Sequence, residues 1–135
     1  MSQYPHPVRV TLDAGLVECL ESLANAAMER FPEAAHPLVT KLSRARMVAA
    51  SRLPDDCVTI DSNVSYQDER TGRTQQVTLV LPEQADISRG LVSVLTPIRV
   101  ALLGLRPSNR VRWKTRAGEE RALSVLTVAS DTATV

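Results

Sequence analysis

Hydrophobic positions along the chain change period once. Leu12, Leu16, Cys19, Leu20, Leu23 and Ala27, with Met28 beyond, recur at three- and four-residue steps, while Glu18, Glu21 and Asn25 occupy the other side. That spacing predicts a helix from Thr11, with the Thr11 hydroxyl as its cap and Asp13 in its first turn. Gly15 weakens the first turns, Phe31-Pro32 ends the helix, and Pro37 delays the next one. A second helix is expected from about Leu38 to Ser51, with Leu38, Leu42, Ala45 and Ala49 inside and Lys41, Arg44, Arg46 and Arg52 outside. Together they form a short antiparallel helical hairpin, a stub of coiled coil about 25 Å in its longest arm at 1.5 Å rise per residue.

Beyond Leu53-Pro54-Asp55-Asp56 the period becomes two. Val58 and Ile60, then Val64 and Tyr66, read as strand, with a bend or bulge at Asp61-Ser62-Asn63. Residues 68–73 form a polar hairpin tip in which Gly72 supplies the positive φ, and Gln76 to Leu81 returns as the partner strand. After a polar connection over residues 82–90, the run Val92, Val94, Leu95 predicts a central strand that stops at Pro97. Ile98, Ala101, Leu102 and Leu105 then fall at helical spacing, closed by Gly104. Arg110 to Thr115 and Arg121 to Val128 form a last hairpin around Ala117-Gly118. Residues 1–10, with His6 between Pro5 and Pro7, are expected to be extended or loose, with Val8 and Val10 fit for an edge strand, and residues 129–135 to fray. The fold class is α+β: a short helical hairpin over residues 1–53, then an antiparallel sheet with one short helix over residues 54–135.

Composition narrows the function. A length of 135 residues with 44% hydrophobic and 23% charged side chains describes one globular unit with a helical appendage. Aromatic residues are 3%, too few to line a stacking platform or an aromatic pocket, and a net charge of +1 spread along the chain gives no electrostatic grip on nucleic acid. Cys19 and Cys57 make neither a metal motif nor a disulfide framework. No apolar run approaches the roughly 20 residues that span a bilayer, and the first residues lack the order of a secretory signal, so a cytoplasmic location is expected.

Residues 58–128 resemble the C-terminal domain of the bacterial Gre transcript-cleavage factors. V-T-I-D-S-N-V at 58–64, L-P-E-Q-A-D at 81–86, S-V-L-T-P-I at 93–98, A-L-L-G-L at 101–105 and A-G-E-E at 117–120 carry the resemblance. The short helical hairpin is most similar to the branch called regulators of nucleoside diphosphate kinase. The resemblance implies an FKBP-like sheet domain and a non-enzymatic transcription regulator. Such a protein docks at the rim of the secondary channel of RNA polymerase and competes there with Gre cleavage factors. The partner-binding residues implied are Ser93, Leu95, Thr96, Pro97 and Arg99, with Leu95 standing where the family often has a polar residue. No cofactor, membrane or sequence-specific nucleic-acid partner is implied, and the chain is expected to be a monomer. The branch name leaves an alternative, a regulator of nucleoside diphosphate kinase acting on that enzyme or its expression.

Gre factors use acidic residues at the coiled-coil tip to help hold Mg²⁺, since hard cations take oxygen ligands. Here the tip carries Glu29, Glu33 and His36, without a closely spaced acidic pair, so neither transcript cleavage nor a metal site is expected. Prolyl isomerisation, which the fold alone would permit, needs a pocket lined by more aromatics than Tyr66 and Trp113 provide. Arg110, Arg112, Lys114 and Arg116 alternate along one strand face, equally a solvated surface or a contact for an acidic partner.

Overall fold

Residues 10–114 and 117–130 are described by the computed structural model. The segment around His6, Arg116 of the basic series and the tail from residue 131 lie outside them, as does the Trp113 side chain.

The helical part opens as a strand. Val10 and Leu12 are both buried at period two, so Thr11–Asp13 forms β1 rather than the start of a helix. Asp13, not Thr11, supplies the capping oxygen: its Oδ1 accepts from the Gly15 backbone N–H at 2.8 Å and opens a 3₁₀ turn over Ala14–Leu16. Helix α1 follows over Val17–Ala27, burying Leu20, Ala24 and Ala27. Cys19 is exposed, one position off that stripe, which corrects its expected place on the apolar face.

Helix α2 runs over Pro32–Arg44, starting six residues before and stopping seven before the expected bounds of Leu38 and Ser51. Pro32 opens it because the first turn needs no backbone donor there, and Pro37 sits within it on the exposed side. Ala34, Ala35, Leu38 and Leu42 are buried. Ala45 turns extended at φ −72°, ψ 152°, and Arg46–Val48 becomes β2, which pairs in parallel with β1.

The sheet holds five strands in the order β5-β4-β3-β7-β6. β3 (Ser62–Asp68) and β4 (Thr74–Val80) are the first hairpin, turned at Gly72 with φ +75°, where the Gly72 N–H donates to the Asp68 carbonyl at 2.8 Å. Val58 and Ile60 precede β3 without joining it. The Val58 main chain instead exchanges hydrogen bonds with Gly104 and Leu105, and Asp61 bends the chain at φ +76°. β5 (Leu91–Ser93) pairs in parallel with β4 and stands at the sheet edge, so the expected central strand is an edge strand and the sheet is mixed rather than wholly antiparallel. α3 (Pro97–Leu102) follows, then β6 (Arg110–Lys114) and β7 (Glu120–Ser130), paired across the Gly118 turn as expected.

Alternation along β3 and its neighbours sends Val64, Tyr66, Leu79, Leu123 and Val125 to one face, where Val100, Leu102 and Leu103 of the α3 segment pack on them. At roughly 1.5–3 kcal/mol for each fully buried aliphatic side chain, this seam is what holds α3 to the sheet. The opposite face is polar. Asn63, Ser65 and Gln67 point there, and Asn63 binds both Thr78 at 3.1 Å and Gln76 at 2.7 Å.

Candidate functional site

Ser93, Leu95, Thr96, Pro97 and Arg99 meet at one corner, where β5 ends and α3 begins. Thr96 is extended (φ −138°, ψ 155°), as a residue before proline must be, and its Oγ1 accepts the Arg99 N–H at 3.3 Å as the cap of α3. The Ser93 hydroxyl accepts the Leu95 N–H at 3.0 Å, so two side-chain oxygens fix the turn on either side of Leu95. Pro97 is exposed, at a position whose N–H would find no partner in the helix. Arg99 folds back along the corner, its Nη1 donating to the Ser93 carbonyl at 3.5 Å. Its Nε is buried and has no acceptor among the described residues. The corner is thus held by two neutral hydrogen bonds and one from a guanidinium, with a proline ring outward.

The other end of α3 is buried. Lys41, expected outside on the second helix, enters from α2 and its Nζ donates to the carbonyls of Val100, Ala101 and Leu103 at 2.7, 2.9 and 2.7 Å. Those of Ala101 and Leu103 lie beyond the helix's own N–H donors, while the Val100 carbonyl also accepts the Leu103 N–H at 3.2 Å. Burial pulls the amine down from 10.5 to about 7. Cys57 lies beside it, its thiol donating to the Thr11 carbonyl at 3.2 Å and the Gly104 carbonyl at 3.6 Å, and burial pushes that thiol up. Gly104 closes the joint at φ +83°. A Cβ there would stand 2.5 Å from the Val10 Cβ, so only glycine lets β1 approach. The sequence carried one signal for Lys41: it is three residues after Leu38 and four before Ala45, inside the apolar stripe.

The hairpin tip is the second candidate region. Glu29 lies in the turn between α1 and α2, Glu33 in the first turn of α2, and His36 three residues on, all exposed. Phe31, half exposed, carries Arg30 over its ring at 6.0 Å. Among the described residues no group of three or more His, Cys, Asp or Glu side chains stands close enough to hold a metal ion.

Of the basic series on β6, the Lys114 side chain lies outside the described residues, and Arg110 and Arg112 are engaged. Arg110 grips Glu69 through two hydrogen bonds of 2.6 Å, and the Ser124 hydroxyl donates to the same carboxylate at 2.6 Å. The Arg110 guanidinium, then the Ser124 hydroxyl, hold the Glu69 carboxyl down from 4.5 to about 2. Arg112 stands 4.0 Å from Glu120. Nearby, burial raises the Asp68 carboxyl, but the Arg70 backbone N–H and the Arg121 guanidinium outweigh it and leave the carboxyl below its ordinary range.

Residues 53–130 match the family model described as "Transcription elongation factor, GreA/GreB, C-term". Over 92 residues the chain is 35% identical to the regulator of nucleoside diphosphate kinase of Escherichia coli (strain K12), covering 68% of each chain. Over 92 residues it is 32% identical to transcription elongation factor GreA of Beijerinckia indica subsp. indica, covering 68% of this chain and 58% of that one. The solved structure of the prokaryotic transcription elongation factor GreA/GreB from Nitrosomonas europaea superposes with a TM-score of 0.70 at 28% identity, over 91% of this chain and 99% of that one. The helical hairpin and the sheet are therefore those of a GreA-like α+β fold.

Proposed function

The chain belongs to the GreA/GreB transcription elongation factor family, and from that premise we propose that it is a non-enzymatic transcription regulator that binds bacterial RNA polymerase at the rim of the secondary channel. In this reading residues 54–135 are the docking part, with the sheet curled over α3 in the FKBP-like manner, and residues 1–53 are an arm presented to the channel mouth. Ser93, Leu95, Thr96, Pro97 and Arg99 make the contact. The observation that carries the reading is the corner itself: an exposed proline on a hydroxyl-capped turn, with the Arg99 guanidinium drawn back onto the Ser93 carbonyl. Such a surface offers shape rather than a concentrated charge, which suits a protein partner more than a phosphate backbone.

The arm acts by occupancy. Glu29, Glu33 and His36 at its tip do not form the closely spaced acidic pair of a cleavage factor, and in this reading the protein obstructs the channel and competes with cleavage factors rather than stimulating cleavage. It does so as a monomer in the cytoplasm. The test is titration of labelled protein onto core RNA polymerase with an unlabelled Gre factor as competitor. Saturable, displaceable binding is expected, weakened at least tenfold in a Thr96→Asp, Pro97→Ala double variant that folds normally. Unchanged binding by that variant removes the corner from the contact. Absence of binding at micromolar concentration and low salt removes polymerase as the partner, and the next partner assayed is then nucleoside diphosphate kinase.

A further inference from the structure

Lys41 joins the two parts of the molecule at one atom. Its Nζ, projected from α2, satisfies three carbonyls at the closing end of α3, and the opening end of that same helix is the Thr96–Pro97 corner. The other polar links in the joint are short or weak. β1 and β2 pair over three residues each, and Cys57 contributes a weak thiol donor to the Thr11 and Gly104 carbonyls. Packing of Leu38 and Leu42 is apolar, and apolar contact fixes distance better than angle.

We propose that Lys41 is the positioning residue that sets the angle of the helical arm against the docking corner, so that docking at Thr96–Pro97 determines where the arm tip lies. The consequence for a partner rests on the polymerase-docking reading above, whereas the angle itself is a property of the free protein. Leverage explains why one side chain suffices. Lys41 lies nine residues from Pro32, roughly 14 Å along α2 at 1.5 Å per residue, so a small rotation at the base becomes a displacement of several ångströms at the tip. Three carbonyls around one ammonium make a tripod, which fixes direction as well as distance.

Removing the amine leaves the Ala101 and Leu103 carbonyls without the donor they have now, while the Val100 carbonyl keeps the Leu103 N–H at 3.2 Å, and the arm then gains orientations in which water reaches them.

The experiment uses the full chain alone. Exposed Cys19 takes one spin label while buried Cys57 does not, and a Thr74→Cys substitution on β4 takes the second. Pulsed electron–electron resonance is expected to give one narrow distance for the native Lys41 and a distribution broadened at least twofold for Lys41→Met, which keeps the stem and loses the donors. Lys41→Gln, which keeps two donor hydrogens without charge, is expected to fall between them, and gives the same comparison if the Met variant does not fold. A distance as narrow in Lys41→Met and Lys41→Gln as in the native chain overturns the proposal. The readout does not involve polymerase, so a failure of docking and a failure of the pin are separate results.

Discussion

The two ends of α3 are capped by opposite means. At its start a neutral hydroxyl, Thr96, receives one N–H at 3.3 Å and Pro97 faces solvent; at its end the half-buried Lys41 ammonium donates to three carbonyls at 2.7–2.9 Å. The helix is six residues long, too short to be stable by itself, so each cap is a large fraction of what keeps it helical. The difference teaches a division of labour. The exposed end is built weakly and locally, where a partner can meet it without competing against internal bonds. The buried end is built from three separate segments and is where a substitution does most damage.

Substitutions that test this contrast rank accordingly. Gly104→Ala, at the buried end, meets both a left-handed backbone and the Val10 Cβ at 2.5 Å. It is expected to cost about 3 kcal/mol or more in urea unfolding. Lys41→Ala leaves the Ala101 and Leu103 carbonyls without this donor and is expected to cost about 2 kcal/mol at pH 7, part of the loss being offset because a costly charge goes with it. Thr96→Ala, at the exposed end, removes one cap bond and is expected to cost about 1 kcal/mol or less while weakening partner binding more than stability. A Thr96→Ala loss larger than that of Gly104→Ala would reverse the assignment of rigid and yielding ends.

An acid titration supplies the smallest effect and a control far from α3. Glu69 has its folded pKa depressed to about 2, against 4.5 for the free group, so its bond to Arg110 contributes fully above pH 4.5 and is lost as pH falls toward 2. Being at the surface, it is expected to add up to about 1 kcal/mol, seen as a shallower acid limb of the thermal midpoint in Glu69→Gln.

Local signals were legible in the sequence and remote ones were not. Gly72, Gly118 and Pro97 mark two hairpin turns and one helix start, and each stands where its backbone chemistry placed it. The corner residues fell together because they are nearly contiguous, although their role awaits the binding test. What sequence could not give was pairing across distance. β1 and β2 are three residues each, too short for a period to register, and they become strands only by meeting one another. β5 reads as central because its residues are apolar, yet that apolarity faces the core from the sheet edge. The Thr11 helix start failed for the same reason: Val10 and Leu12 answer to the joint at Gly104, which no local pattern contains. Lys41 was misplaced outward because a lysine inside an apolar stripe is ordinarily a stem lying along the surface with its charge in water.

The joint at Lys41 also orders the folding of the chain. Its hydrogen bonds close loops of 59 to 62 residues, whereas β3 and β4 are brought together by a tip of a few residues. Loop entropy makes the short closures early and the long one late. The carbonyls that Lys41 must find exist as a cluster only once α3 is wound on the sheet, so the arm seats last. A nascent chain emerging from its amino end carries an arm without a socket until nearly all of the sheet has been made.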